Sequence, residues 1–86
     1  MRIKYTKQAL KTLGSYDKST RELIRKKVLG LTEMPPKGDI KPLQGSKNEL
    51  RLRVGKYRVI YEYVSENRVE ILVINRIGAR GDIYKG

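Results

Sequence analysis

Arginines gather in the second half of the chain, and their spacing suits the binding of an anion. Arg51 and Arg53 alternate with apolar residues, Arg58 follows a Gly-Lys pair, and Arg80 and Tyr84 come near the C-terminus. A guanidinium group holds phosphate through charge and paired hydrogen bonds, and an exposed tyrosine ring stacks on a base. The set therefore predicts a site for an anionic partner, and RNA offers both phosphates and bases.

Alternation along the strands predicts which side these arginines occupy. Successive side chains of a strand point to opposite faces of the sheet. If Leu52 faces the core, Arg51 and Arg53 face the other side, and a tight turn at Gly55-Lys56 brings Arg58 beside Arg53. Like charges placed together repel, and this cost is tolerated most readily where an anion binds.

The residues alone leave a structural alternative open. The arginines would then be ordinary solvent-facing residues of a bare sheet, or Arg58 would pair with Glu62 or Glu70. Tyr84 would then hold the end of the chain against the core.

Composition narrows both the partner and the chemistry. Lys and Arg number 20 against 9 Asp and Glu, and the net charge of +11 favours nucleic acid, an anionic membrane or an acidic protein. The chain has no Cys and no His, which excludes disulfides, thiolate chemistry and nearly all zinc sites. The absence of His also removes the side chain that most often acts as a general acid or base in catalysis. We therefore expect neither a metal nor a cofactor.

Length and hydropathy predict one domain. The 86 residues fit a single core, so we assign one domain to residues 1–86. Neither a signal peptide nor an apolar run of membrane-spanning length is present, so we expect a cytoplasmic protein with no membrane partner.

Capping signals and apolar periodicity predict the elements of the N-terminal half. Alternation at Ile3–Tyr5 indicates a short strand, and Thr6 caps a first helix. A second helix begins at Asp17 or Ser19, where Ser19 and Glu22 have the spacing of a capping box. Apolar stripes at helical spacing are expected to face the core, and their members are Ala9, Leu10, Leu13, Leu23, Ile24, Val28 and Leu31.

The C-terminal half predicts a loop followed by strands. Met34–Asp39 stops the second helix, and a loop runs on to about Asn48. Three strands follow, with turns at Gly55-Lys56 and Glu66-Asn67. The order β-α-α-β-β-β predicts an α+β fold in which two N-terminal helices pack on one face of a small antiparallel sheet.

Three segments together resemble a known family. They are Pro42–Gly45 (PLQG), Leu50–Tyr61 (LRLRVGKYRVIY) and Ile74–Tyr84 (INRIGARGDIY), and they resemble the RelE/ParE superfamily of bacterial type II toxins. The resemblance implies a RelE-like fold and a metal-independent endoribonuclease, an mRNA interferase that enters the ribosomal A site and inhibits translation. The ribose 2′-OH would be the nucleophile, leaving a 2′,3′-cyclic phosphate and a 5′-OH. The implied partners are mRNA, the ribosome and a cognate acidic antitoxin, with DNA bound mainly through the antitoxin complex.

The resemblance also implies roles for individual residues. Arg51 matches a basic position that holds the RNA backbone, and Arg53 matches a lysine position tied to activation of the 2′-OH. Arg58 matches the arginine that stabilises the scissile phosphate. Arg80 matches an arginine that neutralises charge or protonates the leaving 5′-oxygen, and Tyr84 matches the tyrosine that orients the base. We add Lys56 and Arg76 to Arg51 as RNA-binding residues.

The proton acceptor is left open, because Arg53 stands where the best-known member has Lys. An arginine stays protonated and is a poor base. Arg53 acts electrostatically, or Lys56 or Glu49 is the base, or the ribosome supplies the proton path. Ala79 stands where some relatives have His.

Two other functions compete with the nuclease. One is a ParE-like toxin that inhibits DNA gyrase, and the other is a nucleic-acid-binding module without activity. The retention of the full set of arginines and of Tyr84 favours the nuclease.

Overall fold

Two helices cover one face of a five-stranded sheet in the computed structural model, which describes residues 1–79. The elements in chain order are β1 (Arg2–Tyr5), α1 (Lys7–Ser15), α2 (Lys18–Gly30), β2 (Asp39–Pro42), β3 (Leu50–Val54), β4 (Tyr57–Glu66) and β5 (Val69–Ala79). The predicted α+β architecture is therefore confirmed.

The sheet differs from the predicted one in two respects. Its strand order is β1-β5-β4-β3-β2, and β2 lies within the segment predicted to be a loop. Strands β2 to β5 are antiparallel to their neighbours, whereas β1 pairs in parallel with β5, so the sheet is mixed rather than antiparallel. A parallel pair requires a long crossover, and here nearly the whole chain lies between the two strands.

The two helices begin at different kinds of cap. The Thr6 hydroxyl accepts a hydrogen bond from the Ala9 amide at 3.2 Å, which confirms the predicted cap of α1. Asp17 is the N-cap of α2, and Ser19 lies in the first turn, where its hydroxyl donates to the Asp17 carboxylate at 2.8 Å. The predicted capping box of Ser19 is therefore wrong, while the start at Asp17 is confirmed.

The core lies between the helices and one face of the sheet. Its fully buried helix residues are Ala9, Leu13, Ile24, Val28 and Leu31, and its sheet residues are Leu52, Val54, Val59, Tyr61, Leu72, Ile74 and Ile77. Leu10 and Leu23, which were predicted to face the core, are 52% and 46% exposed. Each lies roughly a quarter turn from the buried stripe of its helix, so the stripes are narrower than predicted.

Two-residue turns join the last three strands. Gly55-Lys56 connects β3 to β4 as predicted, and Gly55 has a φ of +59°, as the first position of a type II′ turn requires. Asn67 and Arg68 connect β4 to β5 with φ values of 50° and 66°, the signature of a type I′ turn. This second turn lies one residue later than predicted.

Candidate functional site: the arginine face

The sheet surface turned away from the helices carries the predicted arginines. Arg53 lies directly opposite Arg58 in the β3–β4 register, and Arg51 lies opposite Ile60. Their strand neighbours Leu52 and Val59 are fully buried against the helices. Period-two alternation therefore directs the three arginines to the other side, and the grouping expected from the sequence is confirmed.

A bulge in β5 adds a fourth arginine to this surface. Tyr61 pairs with Ile74 and Ile60 pairs with Arg76, so Asn75 is the extra residue of the bulge. If the alternation of side chains continued unbroken along β5, Arg76 would lie on the core side together with Ile74. The extra residue reverses the alternation, so that Ile77 enters the core and Arg76 faces away from the helices. We call the surface formed by Arg51, Arg53, Arg58, Ile60 and Arg76 the arginine face.

The arginines form two rows across the sheet. Arg51 on β3 and Arg76 on β5 flank Ile60 on β4, and Arg53 and Arg58 form the adjacent row towards the turn. Ile60 is fully buried although it is not part of the core beneath the helices. It therefore provides an apolar floor between charged side chains.

Two guanidinium groups converge on one carbonyl at the hairpin turn. Arg58 Nη1 donates to the Gly55 and Tyr57 carbonyl oxygens at 3.1 Å each, and Arg53 Nε donates a long hydrogen bond to Gly55 at 3.5 Å. Arg58 is only 7% exposed, whereas Arg53 is exposed. The turn thus fixes Arg58 in place, and a shared partial negative charge offsets part of the repulsion between the two cations.

Arg51 is held by a carboxylate that sequence analysis missed. Its Nη2 donates to Asp39 Oδ1 on β2 at 3.1 Å, and its side chain is 13% exposed. Arg51 Nε is buried without a hydrogen-bond partner. Asp39 was unrecognised because β2 was predicted to be a loop. In the β2–β3 register Asp39 lies opposite Arg53, so its contact with Arg51 is diagonal across the two strands. A sequence pattern does not reveal such a contact.

The two alternative proton acceptors occupy different places. Glu49 comes two positions before Arg51, and its Oε2 accepts a hydrogen bond from the Asn75 side-chain amide at 2.9 Å. The Lys56 ammonium lies 5.4 Å from the centroid of the Tyr57 ring, and that ring packs towards the helices against Tyr16. Lys56 is therefore drawn to the rim of the turn, away from the arginine face.

The remaining predicted site residues fall at the C-terminus. Arg80 and Tyr84 lie outside the described residues, so their places in the site stay predictions. Within residues 1–79, no three carboxylates lie close enough together to hold a metal ion. No helix in that same part of the chain is both long and apolar enough to cross a membrane.

The described geometry has the features of a phosphate-binding surface. The hydrogen-bonded guanidinium group of Arg58 lies beside the exposed guanidinium group of Arg53, and Ile60 forms an apolar floor within the same surface. Such groups stabilise negative charge most strongly when they are oriented before the ligand arrives. The hydrogen bonds of Arg58 to the turn carbonyls provide that orientation.

Comparison with known proteins places this chain in a family. A model of the ParE toxin family of type II toxin–antitoxin systems matches residues 3–84. A protein of Methanocaldococcus jannaschii that carries the toxin name RelE1 is 33% identical over an alignment 86 positions long, which covers 96% of this chain and 93% of that protein.

Solved structures share the fold over nearly the whole chain. A chain of the archaeal RelE–RelB complex of Pyrococcus horikoshii OT3 is 29% identical with a TM-score of 0.69, covering 94% of this chain and 96% of that one. The isolated RelE toxin of E. coli is 22% identical with a TM-score of 0.73, covering 96% and 89% of the two chains. The chain therefore belongs to the RelE/ParE superfamily of type II toxin–antitoxin toxins.

Proposed function

We propose that this toxin is a RelE-like endoribonuclease that cleaves mRNA in the ribosomal A site without a metal and so inhibits translation. One observation carries the proposal: Arg53 and Arg58 meet at the Gly55 carbonyl, beside Arg51, on the sheet face turned away from the helices. The named relatives are RelE toxins, which supports the nuclease reading.

The reaction requires little chemistry from the protein. The ribose 2′-OH attacks the adjacent phosphorus, the bond to the 5′-oxygen breaks, and a 2′,3′-cyclic phosphate and a 5′-OH remain. The transition state carries extra negative charge on the phosphoryl oxygens, and oriented guanidinium groups stabilise that charge. Arg58 and Arg53 take this role, Arg80 neutralises or protonates the leaving oxygen, and Tyr84 stacks on the base.

The positions of the candidate bases limit their roles. Glu49 is four residues before Arg53, which corresponds to about 13 Å along an extended strand. Its carboxylate is held by Asn75. A phosphate bound between Arg53 and Arg58 is therefore out of its reach. Lys56 is drawn to Tyr57. We assign Arg53 an electrostatic role and place the proton acceptor on the ribosome.

The net charge of +11 suits the proposed partners. Structures of relatives contain RelE bound to RelB, and a cognate acidic antitoxin would neutralise the basic surface of this toxin. We propose that the free toxin acts in the cytoplasm on mRNA and ribosomes, and that DNA is bound mainly through the antitoxin complex.

A second candidate function is supported by the family model, which is described as ParE toxin. A ParE-like toxin would bind DNA gyrase and would not cleave RNA. Arginines grouped on one sheet face are not needed for that role, whereas they are well suited to binding phosphate. We therefore rank gyrase inhibition second and a non-catalytic nucleic-acid-binding module third.

Primer extension on cellular mRNA after induction tests the proposal. Arg53→Ala is the informative variant, because Arg53 is exposed and its single described hydrogen bond is long. We expect cleavage within translated codons to fall by about 100-fold in Arg53→Ala and in Arg80→Ala. Arg58→Ala should lose at least as much, but it also removes two hydrogen bonds at the turn.

Arg25→Ala is the matched control, since Arg25 is an exposed arginine of α2. It should retain cleavage and growth inhibition. Full cleavage in both Arg53→Ala and Arg80→Ala would contradict the assignment. Double-strand DNA breaks without mRNA cleavage would identify a gyrase inhibitor instead.

A further inference from the structure

A cavity of about 570 Å³ opens beside the arginine face, at the end of β2. Its walls are Lys41, Pro42, Leu43, Gln44 and Arg51. This volume lies within the range of about 300–1,000 Å³ that is typical of small-molecule sites. Arg51 belongs both to the cavity and to the arginine face, so the two are continuous.

The basic side of the cavity is prepared for an anion. Lys41 lies directly opposite Arg51 in the β2–β3 register, and two like charges so placed repel each other. Asp39 contacts Arg51 Nη2, but Arg51 Nε is buried without a partner. A phosphate placed here would relieve the repulsion and would lie within reach of the Lys41 ammonium.

Pro42 and Leu43 supply the apolar part of the cavity lining, and backbone hydrogen bonds hold this segment in place. The Leu43 amide donates to the Glu49 carbonyl at 3.0 Å, and the Leu43 carbonyl accepts from the Ser46 amide at 3.2 Å. Pro42 restricts the backbone before Leu43. Leu43, one position beyond Pro42 and therefore on the same face as Lys41, thus offers a fixed apolar surface against which a flat ring can pack.

Gln44 adds a side-chain amide to the basic and apolar residues that line the cavity. An amide has both donors and acceptors, and it can make paired hydrogen bonds with the edge of a base. Gln44 is exposed, lines the cavity and follows Leu43 in the chain. A base packed on Leu43 would present its edge to this amide.

We propose that this cavity binds one nucleotide of the RNA beside the cleaved phosphate, with its phosphate on Lys41 and Arg51 and its base read by Gln44. The inference rests on the proposed nuclease function, since it assigns the cavity to the same RNA strand. Arg51 and Arg53 are two residues apart on β3, about 7 Å along the strand, so one RNA chain contacts both. Gln44 is then the residue that sets base preference.

Fluorescence anisotropy with short single-stranded RNAs tests this subsite without requiring cleavage. The probes are labelled oligonucleotides of uniform A, C, G or U sequence with 2′-O-methyl groups, which lack the nucleophile. The wild-type toxin should bind the four probes with different affinities. Gln44→Leu should reduce the ratio between the best and the worst probe by about 5-fold or more, because a paired contact to a base edge discriminates by at least that much.

Lys41→Ala should weaken binding to all four probes alike and leave their order unchanged. The slope of log affinity against log salt should become shallower by about 0.7, as expected for the loss of one phosphate contact to a single strand. Lys47→Ala is the matched control, because Lys47 is an exposed lysine of the neighbouring loop that does not line the cavity. Lys47→Ala should leave the base preference unchanged. Its affinity for RNA should fall only slightly, because the net charge falls by one.

The outcomes separate the subsite from the nuclease. An unchanged base preference in Gln44→Leu, or a Lys41→Ala slope equal to that of Lys47→Ala, overturns the subsite even if mRNA cleavage persists. A collapsed preference supports the subsite even if primer extension shows that the wild-type toxin does not cleave mRNA. Loss of binding to a synthetic poly-glutamate peptide in Lys41→Ala, with RNA binding unchanged, overturns the proposal in favour of an acidic protein partner.

Discussion

Replacing Asp39 with Asn should strengthen RNA binding, because it removes the negative charge that pairs with Arg51 from β2. Asp39 Oδ1 lies 3.1 Å from Arg51 Nη2, and the two side chains are 52% and 13% exposed. Asn has the same shape as Asp and no charge, so β2 should keep its place. The substitution therefore isolates the charge of the carboxylate.

The expected gain follows from the strength of such an ion pair. A pair with one well-exposed partner contributes about 0.2–1 kcal/mol, which corresponds to about 1.4- to 5-fold in affinity once Arg51 is available to phosphate. If Arg51 then contacts one more phosphate, the slope of log affinity against log salt should become steeper by about 0.7. The free energy of unfolding should fall by no more than about 1 kcal/mol.

Anisotropy of a labelled single-stranded RNA across a salt series measures both quantities. Glu33→Gln is the matched control, because it makes the same change in net charge and removes the Lys37–Glu33 pair, whose atoms are 3.2 Å apart. That pair lies after α2, outside the arginine face. A general effect of net charge should appear equally in both variants.

Two outcomes would refute this reasoning about Asp39. If Asp39→Asn and Glu33→Gln gave the same affinity and slope, Arg51 would not be competing with phosphate for its partner. If Asp39→Asn bound RNA more weakly than the wild type, Asp39 would act by positioning Arg51 rather than by restraining it.

Two further predictions concern residues with positive φ, and both are measured by urea denaturation. Arg68→Gly should raise the free energy of unfolding by about 0.5–1 kcal/mol, because Arg68 has a φ of 66° and glycine after asparagine is the preferred pair in a type I′ turn. A loss of stability in this variant would contradict the turn assignment. Gly38→Ala should lower it by about 2–5 kcal/mol, because Gly38 has a φ of +135° and an added Cβ would lie 2.6 Å from Leu52 Cδ1. Gly45→Ala, with a φ of +88° and open space around the Cβ, should cost only about 1–2 kcal/mol, and equal losses in the two glycine variants would be inconsistent with a clash at Leu52.

Local signals in the sequence were enough to predict most of the fold and the centre of the site. Alternation in β3 and β4 depends on only a few neighbouring residues, and it correctly placed Arg53 beside Arg58. The Thr6 cap and the Gly55 turn likewise depend on short segments whose backbone preferences are strong. The roles of Arg80 and Tyr84 came from family resemblance and stay predictions.

Long-range pairing decided the rest of the site, and no local pattern carries that information. The bulge at Asn75 turned Arg76 onto the arginine face, because a shift of one residue reverses every side chain that follows. The pairing of β2 with β3 brought Asp39 to Arg51 and opened the cavity lined by Gln44. The sequence alone determined that this protein carries a basic, arginine-bearing hairpin. The tertiary structure decided which arginines are held, which are exposed, and what lies beside them.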